Sequence, residues 1–197
     1  MPDPTSATRK ALIRSGKQEF LEHGFKQASL RTICARASVT TGAFYVYFAK
    51  KDDLFRAIVE EELAEYFERY DGMMSRLAAG VADSEDNEIE FMDYLIEHRD
   101  LFQLLFERSE GSSYEGFKDD LIARFEQSYQ TFLDSHAKEP VDHEVTKTLV
   151  AMKFAQYVRM LFGGYTKEEV RRITEQIQIF TGGGTEALLQ TTFERPA

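Results

Sequence analysis

Few residues in this chain stand at spacings that support covalent chemistry. The four histidines, His23, His98, His136 and His143, have no zinc-type spacing with the single cysteine, Cys34. No glycine-rich phosphate loop, nucleophile elbow or Ser/His/Asp order occurs. The acidic residues are spread along helical faces rather than paired, so neither an enzyme, a metal site nor a cofactor is expected. The chemistry that spacing does offer is non-covalent, and it lies in Leu30 to Leu54, LRTICARASVTTGAFYVYFAKKDDL. Thr40, Thr41, Gly42 and Ala43 are small residues at the start of a short helical pattern. They allow close approach to base edges in the major groove of a DNA duplex. Tyr45 and Tyr47 lie off the face shared by Phe44 and Phe48 and can reach phosphates. Ser29 and Arg31 join the candidate DNA-binding set.

The elements that must position these residues follow from helical periodicity. Leu30, Ile33, Cys34 and Ala37 fall at i, i+3, i+4 and i+7, one face of a helix, with Ser29 as N-cap. Phe44 and Phe48 share a face four residues apart, and Thr40 or Thr41 caps that second helix. The break at Ala37-Ser38-Val39 is short enough only for a tight turn. Together, residues 29–48 read as a helix-turn-helix. A helix over Thr8–Glu22 precedes it, stopped by Gly24, with His23 as a partner for the helix dipole. Phe25 then packs back on Phe20, Leu30, Ile33, Phe44 and Phe48, and Cys34 reads as a small buried hydrophobe. Lys50-Lys51-Asp52-Asp53 opens a long fourth helix that runs to about Leu77.

This stretch resembles the DNA-binding domain of TetR-type (tetracycline-repressor-like) transcription regulators. The resemblance rests on Phe20, Gly24-Phe25, Leu30 with Ile33, Val39-Thr40-Thr41-Gly42, Phe44-Tyr45, Phe48, Lys51 and Leu54, over roughly the first third of the chain. Cys34 stands where the family usually has alanine, and Ser38 where it usually has glycine. Glycine tolerates positive φ and serine does not. The resemblance implies an all-α protein. Its three-helix DNA-binding domain would span residues 6–66, and a helical effector-binding and dimerisation domain residues 67–197. It further implies that Lys51 joins the candidate DNA-binding set by touching a DNA phosphate, that two copies pair through their last two long helices, and that a small-molecule effector releases a repressor from a palindromic operator.

The rest of the chain is compatible with this. The 197 residues carry a net charge of −10, but residues 1–56 hold 10 Lys/Arg against 5 Asp/Glu and the remainder 14 against 29. The local excess suits a polyanion, unless those side chains only solvate helix faces. No apolar run reaches the length of a membrane span and MPDPTSATRK lacks a signal-peptide core, so a cytoplasmic protein is expected. A break is expected at Ala78–Asp86. Helices follow over Ile89–His98 and Leu101–Phe106, then one from Phe117, and two more over Val145–Phe162 and from Val170. The first of these last two is apolar on two faces, Val145/Leu149/Met152 and Val150/Phe154/Val158/Leu161, which calls for two partners. Gly182-Gly183-Gly184 is either a close-approach point inside the final helix or a sign that it ends at Thr181. Phe91, Phe102, Phe106, Phe125 and Phe154, with Arg159 and Gln156 as polar groups, are either plain core or the lining of an effector pocket. The rival reading is a helical small-molecule carrier or enzyme with a vestigial DNA-binding head.

Overall fold

In the computed structural model, which describes residues 6–79 and 84–192 and the side chains of all but 84–87 of these, the chain is all-α. Its helices are α1 (Ala7–Gln27), α2 (Leu30–Arg36), α3 (Thr41–Tyr47), α4 (Lys51–Ala78), α5 (Ser84–Glu97), α6 (Arg99–Glu107), α7 (Phe117–His136), α8 (His143–Phe162) and α9 (Lys167–Gln190). No strand occurs among the described residues. None of their helices is long and apolar enough to cross a membrane.

Side-chain caps account for most helix starts. Ser6, Ser29, Thr40, Asp142 and Thr166 each accept a backbone N–H of the first turn, and Thr166 with Glu169 forms a reciprocal capping box. Helix α1 runs past the expected end at Glu22. Gly24 nevertheless breaks it, at φ 74°, and a last turn re-forms beyond the kink, with Ala28 N–H donating to Gly24 O at 3.0 Å. The expected break at Ala78–Asp86 is shorter, because Ser84–Asp86 are already helical; residues 80–83 lie outside the described residues. Helix α9 continues through Gly182–Gly184 to Gln190, so it does not end at Thr181.

The chain divides into two units. The first holds the chain up to Phe67 together with His98–Lys118; the second holds Glu68–Glu97 and everything after Lys118. The family resemblance implies a boundary after residue 66 and assigns 98–118 to the other side. Those residues join the first unit through contacts that no local pattern reveals. Phe25 N–H donates to Arg108 O at 2.7 Å, Ser113 N–H donates to Asp52 Oδ1 at 2.8 Å, and Lys26 pairs with Glu110.

The core of the first unit is aromatic. Phe20, Phe25 and Phe55 pack ring on ring at 5.2–5.7 Å between centroids, with Phe44 and Phe48 beneath α3. Gly16 lets α1 close on α4: a Cβ there would stand 2.7 Å from Leu54 Cδ2. In the second unit Tyr70 stacks on Phe125 at 4.6 Å. Phe132, Leu133 and Val141 form a cluster covered by Met74, Leu77, Leu188 and Leu189. Ion pairs from Lys167 and Arg171 to Asp93 fasten the start of α9 to α5.

Candidate nucleic-acid interface

The turn between α2 and α3 is closed by backbone hydrogen bonds. Val39 N–H donates to Cys34 O at 2.9 Å and Ser38 N–H to Ala35 O at 3.1 Å, the paired bonds of a Schellman motif. Ser38 takes the left-handed position, φ 58°, and is the one non-glycine residue with positive φ among those described. The serine thus adopts the backbone that glycine would take at lower cost. Helix α2 is fixed to α1 by Ser15 Oγ donating to Ile33 O at 2.8 Å, and by Ser29 N–H donating to Glu19 Oε1 at 3.0 Å.

Thr40 is the N-cap of α3; its Oγ1 accepts Ala43 N–H at 3.2 Å. Thr41 follows it, exposed, with its hydroxyl against Cys34, whose thiol burial pushes upward in pKa. Phe44 is fully buried and Phe48 nearly so. Their burial turns Gly42, Tyr45 and Val46 outward on the opposite face, with Tyr45 56% and Val46 59% exposed. The structure therefore brings Thr41, Gly42 and Tyr45 to one outer surface and leaves Thr40 holding the helix start. Tyr47 is half-buried at the far end, beside a cleft of about 550 Å³ lined by Arg9, Phe48, Asp53 and Arg56. None of the seven residues expected to line a pocket contributes to that cleft.

Val46 was missed in the sequence because an apolar residue reads as core. The signal was available, since Val46 stands four residues after Gly42 and two before Phe48, off the buried face. An exposed valine offers methyl contact to thymine.

Lys51 is placed differently from what the resemblance implies. Its Nζ donates to the carbonyls of Phe25 (2.6 Å), Ala28 (3.1 Å) and Lys26 (3.4 Å) and lies 4.6 Å from the Phe25 ring centre. Burial pushes the ammonium below its usual pKa range. Its three N–H groups cap the end of α1, so a phosphate would have to compete for them.

Most other cations of this unit are also committed. Lys17 pairs with Glu62, Arg56 with Glu60 and Lys50 with Asp52. Arg36 Nη2 stands 2.7 Å from Glu22 and its Nη1 3.3 Å from Glu19, and its hydrogen bond holds the Glu22 carboxyl below the usual range. His23 faces these same carboxylates, 3.7 Å from Glu22. Glu19, Glu22 and His23 thus converge, but around a guanidinium. Lys10, Arg14 and Arg31 are exposed and carry no ion pair among the described residues. Arg31 sits in the first turn of α2 beside Ser29, whose hydroxyl accepts Thr32 N–H at 3.4 Å.

The residues expected to line an effector pocket fall into two groups, one in each unit. Phe102 and Phe106 belong to the first unit and pack on Tyr66 and Phe117. Phe91, Phe125 and Phe154 lie buried in the second. Arg159 is exposed, with its guanidinium over Tyr165.

Comparison with known proteins gives this surface a family. The model described as "Bacterial regulatory proteins, tetR family" matches residues 12–58. The chain carries a DNA-binding domain of the TetR family. Its matched span runs from Leu12 in α1, through the helix-turn-helix, to Ile58 in α4. The HTH-type transcriptional repressor BepR of Brucella suis biovar 1 (strain 1330) is 37% identical over 70 residues, covering 32% of this chain and 34% of that protein. The HTH-type transcriptional regulator UidR of Escherichia coli (strain K12) is 28% identical over 101 residues, covering 49% of this chain and 43% of that protein. The chain thus spans less than half the length of these curated relatives. A TetR-like transcriptional regulator from Rhodococcus sp. RHA1 shares the fold, with a TM-score of 0.66 at 19% identity over 93% of this chain and 99% of that one.

Proposed function

We propose that the protein is a dimeric transcriptional repressor that reads a palindromic operator through α3 and is released by a small-molecule effector. The observation that carries this reading is the outer face of α3. Thr41, Gly42, Tyr45 and Val46 stand exposed on a short TetR-type helix whose other face is clamped by Phe44 and Phe48. Arg31, Lys10 and Arg14 supply the phosphate contacts that set its register, and Tyr47 adds to them from the end of the helix. Lys51 acts from behind, by holding the end of α1. Such a protein works where the operator is, in the cytoplasm.

Dimerisation is supported by the second unit. Helices α8 and α9 leave Val145, Met152, Ile179 and Phe180 exposed, the last two by 70% and 76%. A Cβ added at Gly182, Gly183 or Gly184 would meet nothing within 4 Å. An apolar face flanked by bare helix backbone is suited to a second copy of itself, in an isologous pairing of α8 and α9 with their counterparts. The two reading heads then serve half-sites about one helical turn, ~34–36 Å, apart or a multiple of it.

Selection of bound sequences from random DNA, with sedimentation of the free protein, tests the reading. The expected result is an inverted repeat bound with steep salt dependence by a homodimer. Absence of any enriched sequence would overturn it. Phe180→Glu should give monomers that bind the operator at least about tenfold more weakly, as two linked heads outbind one.

A further inference from the structure

Among the described residues, four side chains of the second unit have buried polar atoms without a hydrogen-bond partner: Thr146 and Gln156 on α8, and Thr174 and Gln178 on α9. Thr174 is fully buried and Gln178 is 4% exposed. Both Oε1 and Nε2 of Gln178 are unpaired, so one carbonyl acceptor and two N–H donors are unused. Thr174 precedes Gln178 by one helical turn, which places its unpaired hydroxyl on the same face. That face is internal, on a helix that packs closely along α5, whose own buried residues are Phe91, Met92, Tyr94 and Leu95.

Buried polar groups in folded proteins nearly always have partners, so a carboxamide with neither end paired marks a place that another polar group completes. The character of that group follows from its surroundings. No Asp, Glu, Lys or Arg residue is fully buried among the described residues of this unit, and Arg171 on α9 and Asp93 on α5 are already paired with each other, so a charged headgroup would enter without a free counter-ion. The natural complement of a carboxamide is a second amide edge, donating its N–H to Oε1 and accepting from Nε2.

We propose that the interior face of α9 at Thr174 and Gln178 binds an uncharged, mainly apolar small molecule that presents an amide or lactam edge to Gln178. Thr174 supplies a further hydroxyl contact, and the buried aromatic and aliphatic residues of the unit accept the apolar body. The assignment rests on the reading that the second unit receives an effector, and it names that effector's class.

The test uses the full-length protein and matched probes: benzamide, 1-naphthamide and caprolactam against benzoate, 1-naphthoate and hexanoate. Binding is measured by calorimetry and ligand-observed NMR. At least one amide or lactam should bind about tenfold or more tightly than its carboxylate, because a site built to hydrogen-bond rejects analogues that cannot do so. Gln178→Leu should remove about tenfold or more of that affinity while leaving the melting temperature unchanged or raised. Gln178→Met provides the same readout if the leucine variant fails to fold. The proposal is overturned if no neutral probe is preferred, or if the variants keep affinity within about twofold of the parent. Operator affinity measured with the probe bound separates the two readings. Binding that depends on Gln178 without any effect on operator affinity leaves the site standing and removes its effector role. Operator release by a probe indifferent to Gln178 leaves the effector reading and overturns this site.

Discussion

The two units differ in how their most deeply buried polar residues are used. In the first, Ser15 donates to Ile33 O, Glu19 accepts from Ser29 N–H, and Ser109 donates to Leu105 O at 2.9 Å, although Glu19 Oε2, Arg99 Nε and Arg108 Nε have no hydrogen bond among the described residues. In the second, Thr146, Thr174 and Gln178 are buried and unpaired. A reading head has to present α3 in one fixed geometry, and satisfied buried polar groups specify one arrangement of helices. A unit that receives a ligand is under a different constraint. On the proposed reading, the interior of the second unit keeps hydrogen-bonding capacity in reserve, at a cost in the stability of the unliganded state. Cations are engaged in both units. In the first unit even Lys51, beside the candidate interface, is used to close a helix end.

The largest effect expected from disturbing the first unit is that of Phe44→Ala. It removes a fully buried ring from beneath α3. The loss should be about 3–5 kcal/mol by denaturant titration, with operator binding abolished. A loss below about 1 kcal/mol would mean that α3 does not depend on this core.

Lys51→Met comes next. It leaves the carbonyls of Phe25, Lys26 and Ala28 without their shared donor. Stability should fall by about 1.5–3 kcal/mol, the range for hydrogen bonds to a charged group. The slope of operator affinity against salt should stay unchanged, because the ammonium is spent on backbone. A slope lowered by about 0.9 per protomer would restore the phosphate role that the family resemblance implies.

A pair of nearly isosteric changes sharpens the contrast through its sign. Ser15→Ala deletes the donor to Ile33 O and should cost about 1 kcal/mol. Thr174→Val deletes a buried hydroxyl that has no partner and should be neutral or stabilising by up to about 1 kcal/mol. Thermal melts of both variants suffice. If both lose stability alike, Thr174 has a partner in solution and the distinction between the units fails.

The smallest effect is that of Ser38→Gly, which relieves a left-handed serine in the turn and should stabilise the protein by about 0.5–1 kcal/mol. Operator affinity should be unaltered within about twofold, since the turn already has its Schellman geometry.

How far the sequence could be read depended on the range of the interaction. Helix periodicity, caps and turn residues act over four or five positions. The helix-turn-helix at 29–48, the Ser29 cap, a break at Gly24 and the two-faced character of α8 were therefore all legible, whereas the turn of α1 that re-forms beyond Gly24 was not. Val150, Phe154 and Leu161 are indeed buried, while Val145 and Met152 stay exposed. Charge counting left two readings open for a related reason. The ten basic residues before position 57 are visible in the sequence, but their carboxylate and carbonyl partners are not: Lys17 meets Glu62, Lys26 meets Glu110, and Lys51 meets the carbonyls of Phe25 to Ala28.

By itself, then, the sequence determined the helices, their order and the face that α3 buries, because hydrogen bonding within a helix and the 3.6-residue period are local. Only the tertiary structure decided that residues 98–118 belong with the reading head, that Lys51 caps α1, and that Gln178 is buried without a partner among the described residues. Each of these depends on which atoms come within about 3 Å across dozens of residues, and desolvation and hydrogen-bond geometry at that range are set by packing.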